Sequence, residues 1–241
     1  VSSANLLKSC CIPDFLEIGT NRIPLVIRRN RRAKRIYLRY NPADHAFSLT
    51  LPQRTRVSDG VDFIHTKSDW ISETLLQMPQ KKNLKPGVVI PVLGEKTRIR
   101  HFPDMRSVFT LKDSELCLSG SREHLPRRIE DALKKIVRNE IAELAHFKAA
   151  QIGRKVNRIT LRDTRSRWGS CSSERNIMFS WRLVFAPYEV LDYVVSHEIA
   201  HLRHMDHSQR FWETVEALCP EYHEWKDWLR IHGKELYRFS G

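Results

Sequence analysis

The chain has 241 residues, 41 % of them hydrophobic and 29 % charged, a composition ordinary for a soluble globular protein and long enough for one large domain or two small ones. No stretch approaches the ~18 consecutive apolar residues of a membrane-spanning helix, and no apolar run after a basic start marks a signal peptide. A formal net charge of +13 and a pI near 9.8 predict attraction to anions without choosing among nucleic acid, nucleotides, acidic proteins and anionic lipid.

The five cysteines, Cys10, Cys11, Cys117, Cys171 and Cys219, are odd in number and form no CxxC pair. They indicate neither a zinc ribbon nor a disulfide framework, and the expectation is reduced thiols in a cytoplasmic protein. Residues 1–20 show no firm period and are a candidate for disorder. From Ile23 to Leu51 the pattern is strand-like. Ile36, Leu38 and Tyr40 alternate with Tyr37 and Arg39, Asn41 to His45 supply turn chemistry, and Phe47, Leu49 and Leu51 alternate again, which predicts a β-hairpin. Arg22, Arg28, Arg29, Arg31, Arg32, Lys34, Arg35 and Arg39 occur here with no acid between them. Two readings fit that run: a sheet edge guarded by charge against aggregation, or a polyanion-binding surface with Tyr37 and Tyr40 as its aromatics.

Residues 58–78 read as one helix with Val61, Ile64, Trp70, Ile71, Leu75 and Leu76 as its apolar set. After a break at Lys85-Pro86-Gly87, short strands are expected over residues 88–93, 97–101, 108–111 and 115–118. A long helix follows, opened by Pro126 and stopped near Gly153, with Ile129, Leu133, Ile136, Val137, Ile141 and Leu144 at helical spacing. Residues 156–162 read as a strand and 163–175 as a polar loop. Ile177, Phe179, Trp181 and Leu183 alternate as a second strand, and Pro187 opens the next helix. Ser208 is placed to cap a further helix containing Phe211, Trp212, Val215 and Leu218, which Pro220 terminates. No internal repeat is visible. The division expected is residues 1–20 as an N-terminal segment, 21–122 as a β-rich region and 123–241 as a catalytic region.

Within the helix after Pro187, His197-Glu198-Ile199-Ala200-His201 is an HExxH sequence. Residues i and i+4 share one helix face, so both imidazoles reach one ion, and zinc binds neutral imidazole at ~2.0–2.1 Å. Glu198 sits beside them as general base toward a water activated by the metal. Val190, Leu191, Val194 and Val195 form a buried stripe ahead of the motif. A catalytic zinc needs a third protein ligand and an open position. His207 is the best candidate, because a residue beyond the turn approaches from a new direction; His204 and Glu213 are its rivals. Asp206 either orients an imidazole or starts the turn.

The strings Arg165-Ser166-Arg167-Trp168-Gly169-Ser170-Cys171, residues 177–183, Pro187, residues 193–202 and His207-Ser208-x2-Phe211-Trp212 together resemble the YgjP-like metallopeptidase domain, a relative of the SprT-like and WLM zinc proteases. The resemblance implies that His197, His201 and His207 are zinc ligands and Glu198 the base. It also implies an α+β, zincin-like core with substrate lying along a strand edge beside the active-site helix. Arg165 and Arg167 either bind a substrate carboxylate, phosphate or oxyanion, or tie their loop to the C-terminal helices around Trp168. Cys171 reads as a buried thiol, since a fourth protein ligand would close the site. Three functions compete. The first is a peptidase acting on peptide or protein. The second is a metal-dependent nucleoside triphosphate pyrophosphohydrolase, which lacks the support of a Gly-rich phosphate loop. The third is a nucleic-acid-associated SprT-like protease or DNA-binding module. Oligomeric state and natural substrate are not legible at this level.

Overall fold

A computed structural model describes residues 14–18, 21–42, 44–76, 81–164 and 166–240. The architecture is mixed α+β, with six α-helices and several small sheets among the described residues. The chain divides into two compact units, up to Gln80 and from Lys81 onward. Among the described residues no helix is long and apolar enough to cross a membrane.

The first unit is a four-stranded sheet of β1 (Phe15–Ile18), β2 (Asn21–Asn30), β3 (Tyr37–Asn41) and β4 (Ala46–Pro52), in the order β1-β2-β4-β3. The expected hairpin is β3–β4, paired antiparallel from Tyr37↔Thr50 to Asn41↔Ala46. The basic strand β2 is not part of that hairpin. It lies inside the sheet, antiparallel to β1 and parallel to β4 from Leu25↔Phe47 to Asn30↔Pro52. Strand periodicity puts Leu16, Ile23, Leu25, Phe47, Leu49 and Leu51 on one face, where they bury with Ile64 and Ile71. Those two isoleucines come from α1 (Val57–His65) and α2 (Ser68–Leu76). The single helix expected over 58–78 is therefore two. Thr66 closes the first by donating its N–H to the Asp62 carbonyl and its hydroxyl to the Phe63 carbonyl, and the bend lets both isoleucines reach the core.

In the second unit β5 (Lys82–Asn83) is followed by β6 (Val89–Val92), β7 (Glu95–His101), β8 (Phe109–Lys112) and β9 (Glu115–Leu118). These last four form a sheet in the order β6-β7-β9-β8. Its two hairpins turn through Leu93-Gly94 (φ 51° and 92°) and Asp113-Ser114 (φ 50° and 60°), the left-handed pairs whose twist suits a two-residue loop. Helix α3 (Leu125–Gln151) buries Ile129, Leu133, Val137, Ile141, Ala145 and Ala149 along one stripe. Strands β10 (Arg158–Arg162), β11 (Gly169–Cys171) and β12 (Asn176–Ser180) follow, in the order β10-β12-β11. β10 runs parallel to β12 and β11 antiparallel to it.

The alternation expected to continue through Leu183 stops at Ser180. Trp181–Phe185 is a 3-10 turn whose side chains are all buried, so an apolar run with nearly every member inside replaces the two-faced strand. Helices α4 (Tyr188–Ala200), α5 (Gln209–Leu218) and α6 (Tyr222–His232) complete the unit, and β13 (Phe239–Ser240) pairs with β5. Ile90, Val92, Ile99, Leu116 and Leu118 share one core with α3 and α4. The boundary expected at 122/123 therefore falls inside the second unit, because the sheet of β6–β9 has its apolar face on α3 and α4.

One strand pattern recurs three times. In β1–β4 and in β6–β9, two hairpins join through their inner strands, which run parallel; β10–β12 repeats this without the first strand. Each time the last strand leads toward a helix: α1, α3 and α4.

Candidate metal centre

The sequence sets α4 by its apolar stripe: Val190, Leu191, Val194, Val195 and Ile199 are all buried. The Lys148 ammonium on α3 pairs with Asp192 at 2.8 Å and donates to the Leu218 carbonyl at 2.6 Å, which locks α3, α4 and the end of α5 together. Its side chain is only 6 % exposed, so this pairing is obligatory. The helix ends within the motif. His201 is the C-cap, and the chain turns through Leu202 N–H to the Ile199 carbonyl and His204 N–H to the Ala200 carbonyl.

That turn returns His207 to the helix. Ligand nitrogens of His197, His201 and His207 all lie within 4.8 Å of one another. His207 Nε2 is 3.2 Å from His197 Nε2. Two nitrogens bound to one tetrahedral ion at ~2.0–2.1 Å would stand ~3.3 Å apart, so the pair has the spacing of co-ligands. His201 donates Nδ1–H to the His204 carbonyl at 3.0 Å, which leaves its Nε2 with a free lone pair. The rivals do other things: His204 offers that backbone carbonyl, and Glu213 accepts from Gln209 at 2.9 Å. Ser208 occupies the N-cap of α5, but its hydroxyl donates to Asp206 Oδ1 rather than to the helix, so Asp206 shapes the turn.

Beneath the triad lies Phe211, completely buried, with ring centroids 4.9, 4.6 and 4.7 Å from those of His197, His201 and His207. Sequence reading places Phe211 in the apolar set of α5; nothing in its spacing shows that it is the common floor of three imidazoles. Burial first, then the neighbouring His201 and His207, pushes His197 down to about 3, so it is neutral at physiological pH, the form that ligates. Glu198 is 5 % exposed, and its Oε2 has no hydrogen-bond partner. Burial pushes its carboxyl up to about 8, opposed by the Arg167 guanidinium. A cation among the three imidazoles would favour the carboxylate instead. An unpartnered buried oxygen beside three converging nitrogens fits a site built around an ion and a water.

Strand β11 forms the wall opposite α4. Gly169, Ser170 and Cys171 line the cleft with Arg167, His197, Glu198, His201 and His207. A Cβ on Gly169 would stand 2.6 Å from Glu198 Cγ and 2.7 Å from its Cδ, with Oε1 nearer still, so only glycine lets the carboxylate sit here. The Arg167 side chain makes no hydrogen bond or ion pair among the described residues, while Arg165 lies outside them. Other residues tie the loop down. Arg182 makes a two-pronged contact with Asp163 (2.7 and 3.0 Å), Tyr237 donates to the Thr164 carbonyl, and Trp168 packs on Tyr237. Cys171 is half-buried rather than buried, and burial with the nearby Glu198 charge pushes its thiol up to about 11. Cys117 and Cys219 are also free, and Cys10 and Cys11 lie outside the described residues.

A family model for the YgjP-like metallopeptidase domain matches residues 34–232. The chain belongs to the YgjP-like family. No curated protein and no solved structure matches it. Membership makes this YgjP-like chain a metallopeptidase-type hydrolase and implies a metal ion, for which the triad of His197, His201 and His207 is available. The matched span covers the triad, the loop before β11 and strands β3 and β4, and it begins after the basic strand β2.

Proposed function

We propose that this YgjP-like protein is a zinc-dependent peptidase in which His197, His201 and His207 hold the ion and Glu198 is the general base. The convergence of three imidazole nitrogens beside an unpartnered, buried Glu198 oxygen carries the reading. Neutral imidazoles suit zinc rather than calcium or magnesium. When bound, zinc supplies a Lewis acid and lowers the pKa of a water to about 7. Glu198 then accepts a proton from that water and passes it to the departing amine. The HExxH helix beside a small mixed sheet is a zincin-like arrangement.

Strand β11 suits an extended substrate. Ser180 N–H bonds the Trp168 carbonyl, and Ser172 N–H bonds the Asn176 carbonyl. In an antiparallel ladder the intervening residues point their backbone groups the other way. Gly169 and Cys171 therefore present theirs to the open edge above the site, where a peptide strand can pair. Arg167, which makes no hydrogen bond or ion pair among the described residues and whose charge acts on Glu198, is suited to take a substrate carboxylate or a developing oxyanion.

Hydrolysis by zinc-loaded protein and by Glu198→Gln, on unfolded proteins, peptides and nucleoside triphosphates, tests the function. The expected result is peptide cleavage that falls by at least about a hundredfold in Glu198→Gln, with zinc still bound at one per chain. His207→Ala is expected to lose the zinc. A Glu198-dependent signal confined to triphosphates would overturn the peptidase reading and leave the metal site standing. Full zinc occupancy in His207→Ala would remove that residue from the ligand set.

A further inference from the structure

The face of the β1–β4 sheet that points away from its core is exposed among the described residues. Its rows follow from register. Val26, Ser48 and Arg39 stand side by side across β2, β4 and β3; Arg28, Thr50 and Tyr37 form the next row; and toward the other end Phe15 stands beside Pro24 and Glu17 beside Arg22. Phe15, Val26 and Tyr37 are exposed large hydrophobics, and Tyr37 is 55 % exposed. The Arg22 guanidinium lies 4.1 Å over the Phe15 ring.

Charge in this unit is polarised. Residues 21–56 hold ten Lys and Arg and a single acid, Asp44. Residues 57–76, which form the helices on the other face, hold four acids and one lysine. Asp44 sits in the β3–β4 turn, at the end of the sheet where β2 begins. The opposite end gathers residues 28–35, Tyr37, Arg54 and Arg56, because β2 and β4 finish there and β3 starts there. One of these cations is structural: Arg29 donates to the carbonyls of Pro52, Gln53 and Thr55. Arg28, Arg39 and Arg54 have no ion-pair partner among the described residues.

Guarding of open backbone edges accounts for part of the basic run, since β2 pairs with β1 only over Asn21–Pro24 and with β4 only over Leu25–Asn30, and β3 is an edge strand; it does not account for the outward-facing sheet surface itself. Tyr40 leaves the account: it lies on the core side against Phe47, with its hydroxyl pushed up to about 12 by burial. What remains is an exposed sheet surface with Arg28 and Arg39 diagonal to each other, the hydroxyls of Ser48 and Thr50 between β2 and β3, the Tyr37 ring at that end, and Phe15 with the Glu17–Arg22 pair at the other. We propose that this outward face binds single-stranded nucleic acid, with its phosphates on Arg28, Arg39 and the basic cluster at the β2 end, and a base stacked on Tyr37. A duplex would pair with the cations but offers no free base to the ring. This surface lies in the first unit and does not depend on the peptidase reading.

The test is fluorescence anisotropy of labelled 20-nucleotide oligothymidine and oligouridine with the full chain, across a salt series. We expect binding that weakens with salt. Arg28→Glu/Arg39→Glu should lose at least tenfold in affinity and flatten the log–log salt slope by about 1.4, near 0.7 per phosphate contact. Tyr37→Ala should lose about tenfold on either single strand and little on a duplex of the same length. Arg106→Glu/Arg138→Glu, the same change of charge in the other unit, should retain most of the affinity. All five positions are exposed, and circular dichroism of each variant is the check that it folds. Equal binding by wild type and Arg28→Glu/Arg39→Glu overturns the proposal. So does duplex or heparin binding as tight as single-strand binding with Tyr37→Ala silent, which would mark an undiscriminating polyanion surface.

Discussion

Replacing Gly169 with alanine adds one methyl group, yet its nearest neighbours are the atoms of Glu198. The new Cβ would begin 2.6 Å from Cγ and must reach about 3.4 Å for ordinary contact, a retreat near 0.8 Å. Glu198 has little room to give, because it is 5 % exposed and stands on a helix pinned by Val194, Val195 and Ile199. Overpacking of this kind costs about 1–3 kcal/mol. Moving a proton-transfer group by close to 1 Å costs about a hundredfold in rate. Gly169→Ala should therefore keep its metal, lose about a hundredfold in kcat with KM little changed, and lose about 1–3 kcal/mol of stability in urea. A second readout needs no substrate. If the clash is with Glu198, then Glu198→Ala made on top of Gly169→Ala should recover most of the lost stability, a coupling of about 1–3 kcal/mol in a double-mutant cycle. Additive effects of the two substitutions, or an unimpaired kcat in Gly169→Ala, would refute the reasoning.

Three further outcomes follow from the same geometry. Lys148→Met leaves Asp192 and the Leu218 carbonyl without their buried partner, and denaturant melts should show a loss of about 3–5 kcal/mol. Phe211→Ala removes the floor under three imidazoles. It should cost about 3–5 kcal/mol and weaken metal binding about 10- to 100-fold in a competitive chelator titration, with the ligands themselves unchanged. Stripping the metal with chelator should lower the midpoint of the second unit's melt, since zinc at 1,000 times its Kd adds about 4 kcal/mol; an unchanged melt would mean that the folded protein binds no metal there.

The helix bearing His197, Glu198 and His201 was legible because its signal is local: a 3.6-residue stripe, a proline at the start and two histidines one turn apart. Spacing favoured His207 as the third histidine but left His204 and Glu213 as rivals, because it does not say which side chain the turn brings back to the helix. Strand partners were not. β2 with β4 and β10 with β12 are parallel pairs whose members are separated by a whole strand, and periodicity says which face a residue takes but not beside which strand it lies. Tyr40 could therefore be counted with Tyr37 as a candidate aromatic, although the two take opposite faces of the sheet. The break at Thr66 and the 3-10 turn at Trp181 share another cause. Both come where the next apolar residue must reach a core contributed by a distant segment, and tertiary burial overrides the local pattern. Gly169 looked like one small residue in a polar loop, because the atom that forbids a side chain there belongs to a residue 29 positions away.

The thrice-used strand pattern bears on the order in which the molecule assembles. In each instance the parallel pair is bridged by a hairpin that needs only nearby contacts, and loop-closure entropy favours near contacts first. β11 and β12 can meet through the Ser172–Arg175 turn before β10 finds its place on the far side of β12. The strand that lines the cleft thus belongs to the early, self-sufficient part of its sheet, and the strand added last is the one furthest from Glu198. Sub-global opening should reverse that order. Hydrogen exchange is expected to release the β10 amides before those of β12, so that the sheet can breathe at β10 while Gly169 keeps its place against α4.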